Sequence, residues 1–492
     1  MTSRTAFPAL AVCAVCVVLT PLTGCGSDTP GQGASPSGSG GAASASGVPG
    51  APTESRGPVS GKGSKDPDDI NGDGFRDLVV PVTVGDDPDS PDAEQRVGVV
   101  YGSAKGLDPT TRTVHRRQDL GLPETPESMT KVSGVSAEST VTADLDGDGF
   151  PDFITSVVGE EADDGNISAS RTVPYVAWGG PAGPEGKSGA TELRLPPSVT
   201  KLGLQSVVRG DFDGDGHHDL AALAYNESSL VVLYGPVTRD GTPARTDTGL
   251  PWKEGDLVAD DIAPSGEPRA TSLLLHGLSD GEQAGNTLYP ARRGTPLAGR
   301  GQELRLGNAQ AFGDFDGDGQ RDVAVGDDGS RNDEPGFETE APEVEGSLTV
   351  YPGSGDTPVT HELPDVPEKL STDYGPGGFA AADPDGDGRD GVLVATYEGA
   401  TLIDGDRRTA VLRQGPATAD GEKTPAKWRH ARPAGAADFD GDGKDELILH
   451  WASDSLFGYY GTHPTHWWIT EGTTSRDRTS FATTGFGADG SS

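Results

Sequence analysis

The stretch Asp211-Phe-Asp213-Gly-Asp215-Gly-His-His-Asp219, followed at once by the apolar run Leu220-Ala-Ala-Leu-Ala-Tyr225, decides the fold. Carboxylates at positions 1, 3 and 5 of a tight turn project inward. The carbonyl at position 7 joins them, and an acid at position 9 closes an all-oxygen shell suited to a hard cation. Glycine at position 6 allows the sharp reversal. With no His or Cys in the set, the chemistry points to Ca²⁺, and Mg²⁺ fits less well because it gives up its waters reluctantly.

The nine-residue pattern recurs five more times. Its candidate ligands are Asp69, Asn71, Asp73 and Asp77; Asp144, Asp146, Asp148 and Asp152; Asp211, Asp213, Asp215 and Asp219; Asp314, Asp316, Asp318 and Asp322; Asp383, Asp385 and Asp387; and Asp438, Asp440, Asp442 and Glu446. Position 3 of the first copy is an amide, which removes a charge and keeps a ligand oxygen. The fifth copy has Gly391 at position 9, so its shell closes only if Asp390 shifts into place. Up to six Ca²⁺ ions are therefore expected, with the fifth motif the weakest.

An EF-hand would bracket such a loop with helices. Here each loop runs directly into a short β-like segment, such as Phe153-Ile-Thr-Ser-Val-Val or Leu447-Ile-Leu-His-Trp451. A second apolar run then ends in an aromatic residue and a glycine or proline: Tyr101-Gly, Trp178-Gly, Tyr234-Gly, Tyr351-Pro. One repeat is thus strand, acidic loop, strand, longer loop, strand. These units strongly resemble the FG-GAP (VCBS) repeat family, the seven-bladed β-propellers related to the head of integrin α chains.

Motifs start at 69, 144, 211, 314, 383 and 438, and one interval is long enough for two units. Inside it, Leu257-Val-Ala-Asp260-Asp261 and the aromatic strand Asn286-Thr-Leu-Tyr289 read as a degenerate fourth blade over residues 253–300, its metal ligands lost. The total becomes seven. The first motif lacks the strand that precedes the others, and the tail Thr479-Ser-Phe-Ala-Thr-Thr-Gly-Phe-Gly487 is expected to supply it and close the ring.

The fold expected is therefore an all-β, seven-bladed propeller over residues 66–492 with cation-binding loops. Residues 1–24 read as a signal peptide: Arg4 precedes an apolar stretch too short to span a bilayer permanently. Leu22-Thr-Gly-Cys25 resembles a bacterial lipobox, which implies lipidation of Cys25. Residues 25–65, rich in Gly, Ser, Ala and Pro, read as a flexible linker. The protein is expected to be extracytoplasmic, bound to the cell membrane through its lipid alone, and monomeric.

Composition narrows the partners. The chain has 492 residues, 77 acidic against 38 basic, and a net charge of −39. Nucleic acid is excluded as a partner, because phosphate binding needs Lys and Arg. The 73 glycines and 39 prolines exclude a helical bundle. Acidic insertions at Asp86–Glu94, Glu160–Asp164 and Asp327–Glu345 fall between second and third strands, on the face opposite the acidic loops. The integrin resemblance implies that partners dock there.

Two other constellations were weighed. Gly277-Leu-Ser279-Asp-Gly281 lacks the helix that a nucleophile elbow needs, so a β-turn explains it better. His463, His466, Trp467 and Trp468, near Phe457, Tyr459 and Tyr460, fit packing between blades, with a sugar-stacking surface as the alternative. The leading functional expectation is a binding or adhesion module for a protein or glycan. The alternative is a propeller enzyme, a lyase or hydrolase acting on polysaccharide; no catalytic residue can be assigned.

Overall fold

The computed structural model describes residues 47–490 apart from 86–92, 125–139, 185, 187–188, 278–282, 328–345, 365–377, 420–421 and 453–462. The signal peptide, the lipobox, Ser279, most of the first and third acidic insertions, and Phe457, Tyr459 and Tyr460 lie outside the described residues.

Seven antiparallel sheets form the blades of a β-propeller. The first has three strands, Leu78–Val84, Glu94–Val100 and Arg112–His115. The others have four. Their inner strands are Thr140–Ala143, Leu204–Gly210, Gly255–Ala259, Ala309–Gly313, Phe379–Ala382 and Arg432–Ala437. Their second strands begin at Asp152, Asp219, Leu273, Asp322, Gly391 and Glu446. The acidic loops of these blades thus join an inner strand to a second strand, and the first loop leads into Leu78–Val84 in the same way; all of them lie on one face of the propeller.

The strand pattern follows from composition. Second strands such as Asp219–Ala224 are buried at every position, because neighbouring blades cover both faces of the sheet. Inner strands crowd the axis and are built from small residues, as in Phe-Ala-Ala-Ala of 379–382. The apolar residue at position 2 of the loop wedges between blades: Ile70, Leu145, Phe212, Phe315 and Phe439 are all buried. The fourth unit, without an acidic motif, is a complete four-stranded blade, Gly255–Gly307.

Two expectations are corrected. The C-terminal segment does not supply an inner strand to the first blade. Asp477–Ala482 is the outer strand of the seventh blade, and residues 483–490 form a 3-10 turn. That turn seats Phe486 against the first blade, in one core cluster with Val80, Val82, Phe439, Trp467 and Phe481. Phe486 stacks on Phe481 at 5.8 Å, and the Arg112 guanidinium lies 4.5 Å from the Phe486 ring centroid. Gly485 and Gly487 leave no run of side chains to face a sheet, so a single aromatic anchor does the joining.

The second correction concerns the linker. Its last part, residues 47–65, is packed as a strap. The Ala482 amide donates to the Gly50 carbonyl, the Arg56 amide to Thr110, and the Arg112 amide to Arg56. The amides of Gly61, Lys62 and Gly63 donate to the carbonyls of Asn71 and Gly72 in the first loop, and that of Ser64 to Gly149 in the second. A Cβ on Gly61 would collide with the Gly72 carbonyl, so the small residues that suggested disorder permit close backbone contact. The strap therefore spans the seventh, first and second blades.

Removing the Phe486 ring leaves a cavity at the junction of the first and seventh blades. Phe486→Ala is expected to lower unfolding stability by about 3–5 kcal/mol in denaturant titration.

Candidate metal centres

The six acidic loops share one hydrogen-bond plan, which the second shows in full. One oxygen of Asp144 at position 1 accepts from the amides of Gly147 and Asp148, and the other from Gly149. Asp148 at position 5 accepts from the position-7 amide of Phe150 at 3.0 Å. The same position-5 to position-7 bond recurs at Asp73, Asp215, Asp318, Asp387 and Asp442. Glycines at positions 4 and 6 have positive φ in every copy, from Gly72 and Gly74 to Gly441 and Gly443.

The ninth-position acid is the most constrained. Asp152 is fully buried and accepts from the Leu145 amide at 2.9 Å and the Gly179 amide at 2.7 Å. Asp77, Asp219 and Asp322 repeat this with Ile70 and Gly102, Phe212 and Gly235, and Phe315 and Gly353. The glycine after the aromatic strand thus has a defined task. Its amide reaches the acid, and a Cβ on it would strike the position-8 carbonyl of Arg76, Pro151, His218 or Arg321. In the sixth blade both partners are lost together: Pro384 at position 2 has no N–H, and Gly391 has no carboxylate.

Five clusters bring carboxylate oxygens within 4.8 Å of one another: Asp144, Asp146 and Asp152; Asp211, Asp213 and Asp219; Asp314, Asp316 and Asp322; Asp383, Asp385 and Asp387; and Asp438, Asp440 and Glu446. Asp148, Asp215, Asp318 and Asp442 stand outside these groups. In the first loop the position-3 oxygen belongs to the amide of Asn71, whose Oδ1 accepts from the Asp73 amide at 3.3 Å. The Asn71 amide nitrogen donates to Asp73 Oδ2 and to the Val59 carbonyl of the strap, both at 3.0 Å. Asp390 does not complete the sixth-blade shell; its carboxylate accepts from the Asp314 amide of the preceding blade.

The donor set fits a hard cation. It is all oxygen, and Asp213 Oδ1 is buried with no hydrogen-bond partner. Arginines sit at several clusters: Arg239 on Asp146 and Asp148, Arg245 on Asp213, and Arg478 on Asp440 and Glu446. Burial pushes Asp77, Asp152 and Asp219 up to about 8, against the two amides that each accepts from, and neighbouring loop acids add to the rise. Burial likewise raises Asp322 to about 6 and Glu446 to about 7.

Sequence reasoning missed a relay between blades. At position 8, Asp390 and Asp445 accept from the position-1 amides of Asp314 and Asp383 in the preceding blade, at 2.7 and 2.8 Å, and return their own amides to those residues' carbonyls. His218 accepts from the Asp144 amide through Nδ1 at 2.9 Å, and Thr271 from the Asp211 amide at 2.8 Å. His218 stays neutral, its pKa lowered to about 4 by burial first and by Arg209 second. Between the fourth and fifth blades, arginines take over. Asp260, the position-1 residue of the degenerate unit, is 2% exposed and bound by Arg269 at 2.6 Å and Arg321 at 3.0 Å. The only signal was a polar residue at position 8, whose type changes from copy to copy.

Trp467 and Trp468 are buried between blades, so these two rings pack the core. No family model matches the chain, and no curated protein matches it significantly. Among solved structures it is similar to an Agrocybe aegerita lectin described as recognising non-reducing terminal N-acetylglucosamine, at 14% identity and a TM-score of 0.36, over 71% of this chain and 80% of that one. A rhamnogalacturonan lyase of Bacillus licheniformis is similar at 12% identity and a TM-score of 0.30, over 85% of this chain and 69% of that one. Likeness at this level carries no functional argument.

Two outcomes follow. Gly235→Ala is expected to cost about 1–3 kcal/mol in chemical denaturation, because the added methyl strikes the His218 carbonyl and moves the amide away from Asp219. The ninth-position acids have folded pKa values above their unfolded ones. Their contribution is fully present below about pH 4 and is lost as pH rises through 8. In chelator, the melting temperature should therefore fall from pH 5 to pH 8, and added cation should restore more at pH 8.

Proposed function

We propose that this chain is a calcium-clamped propeller of the FG-GAP class, held outside the cell by a lipid on Cys25, and that it binds a protein or glycan through loops on the face opposite the clamps. The observation that carries the reading is the recurrence of an oxygen-only carboxylate cluster at one turn of five blades. Carboxylates so close repel one another, and a divalent cation relieves that repulsion. In the metal-loaded protein, Asp146, Asp213, Asp316, Asp385 and Asp440 supply ligands at position 3 beside the position-1 acids. The first loop offers the Asn71 amide oxygen at position 3 in place of a carboxylate, whereas the fourth unit has lost the motif and Asp260 is held by arginines instead.

The clamps are structural. Each ion ties the end of an inner strand to the start of a second strand, and its binding free energy adds to folding stability by mass action. On the opposite face, the hairpin of the second blade extends through Glu161-Ala-Asp163 and turns at Asp164-Gly-Asn-Ile167. Its acids give that face a charge suited to cationic partners or to contacts bridged by a cation.

Adding EGTA should lower the melting temperature by several degrees, and excess Ca²⁺ should restore it; a melt indifferent to both would refute the clamp. A glycan array and a pull-down from the native envelope, each hit followed by a turnover assay, test the binding role. Saturable binding without product supports it, whereas turnover of a bound polysaccharide would overturn it.

A further inference from the structure

The first blade lacks the inner strand that the other six possess, and the reason lies in three residues. The Asp77 amide donates to the Asp68 carbonyl at 2.7 Å, so Asp68 stands where Ala143, Gly210, Gly313, Ala382 and Ala437 stand in their blades, opposite the ninth position. Upstream of it the strand stops. Pro67 has no amide to give to a ladder, and Asp66 caps a turn, its carboxylate accepting from the Asp68 amide and its carbonyl from Asp69. The chain leaves the axis there, pinned by Arg76 on Asp66 and by a bidentate Arg209 on Asp68.

Among the described residues, Leu78–Val84 consequently pairs with Glu94–Val100 alone, and its other edge faces the axis. Pro81 stands in the middle of it, a residue found in edge strands. This edge borders a cavity of about 560 Å³ that runs along the axis. Asp68, Arg76 and Asp261 line it toward the acidic loops, and Phe379, His450 and Pro464 toward the opposite face. On its wall, Trp467 Nε1 and His450 Nδ1 are buried without hydrogen-bond partners among the described residues. The Trp467 residue is 4% exposed.

We propose that this recess is a binding site for an extended polypeptide segment of mostly small or β-branched residues, which adds to Leu78–Val84 as the missing inner strand. The occupant's chemistry is read from the six positions where the fold supplies it. Those strands are four to seven residues long, antiparallel to the second strand, and mostly small or β-branched where they meet the axis. Backbone amides and carbonyls of the open edge give affinity, and the apolar wall selects side chains of that size. A chain entering from the face opposite the acidic loops ends against Asp68, where Asp66 and Pro67 block further pairing. The site stands whether or not the loops hold a cation, so its failure and the failure of the calcium reading are distinguishable.

Hydrogen exchange on the full chain tests this. In the free protein, alternate amides of Leu78–Val84 should exchange at least tenfold faster than those of Asp219–Ala224, which is paired on both sides. Acetylated and amidated peptides copying residues 309–313 (Ala-Gln-Ala-Phe-Gly) and 379–382 (Phe-Ala-Ala-Ala), at millimolar concentration, should slow those amides at least threefold. Versions N-methylated at alternate peptide bonds should not. Slow exchange of the edge in the free protein, protection confined to another region, equal protection by the N-methylated peptides, or protection by neutral oligosaccharides and not by peptides would each overturn the proposal.

Discussion

The structure depends on a carboxylate buried where most of the acidic loops run into the next strand. Asp77, Asp152, Asp219 and Asp322 each accept one amide from their own loop and one from the turn after the third strand. A carboxylate in so little water is costly unless its lone pairs are satisfied. Here two backbone donors meet that need and in doing so fix the loop, the second strand and the third strand in one geometry. The loop fixed in this way points its remaining oxygens at a common centre. The acid that organises the blade therefore also shapes the cluster that suits a cation.

Blades are then tied to blades by less uniform means. Position 8 sends an acceptor back to the preceding loop through a carboxylate, an imidazole or a hydroxyl, and arginines do the equivalent work around Asp260. Different residue types meet one geometric demand, which is an acceptor for the position-1 amide or a partner for the position-1 acid. In the first loop the Asn71 amide takes position 3 and also ties the loop to the strap.

The nine-residue spacing made the blades, their number and the acid clusters legible in the sequence, because ligand position and strand start are locked together over a few residues. The role of Gly102, Gly179 and Gly235 was visible only as punctuation after an aromatic residue; its cause, a bond to an acid 16 to 27 residues upstream, needs the fold. Asp390 was misread as a possible ligand for its own loop because position 8 lies beside position 9 in sequence, yet alternate residues point to opposite sides at the start of a strand. The strap was read as a flexible linker because Gly, Ser and Pro carry little surface to bury. Its order comes from backbone hydrogen bonds, which composition does not report.

The central claim is that the acidic loops are cation clamps and that the fourth position, which lacks the motif, is held by protein groups instead. Diffraction from calcium-grown crystals, with anomalous differences mapped at each loop, tests it most directly. The account predicts peaks among the acids of the loops starting at Asp144, Asp211, Asp314, Asp383 and Asp438, with none at Asp260. Absence of cations from the five loops, or a cation bound at Asp260 in place of its arginines, would contradict it.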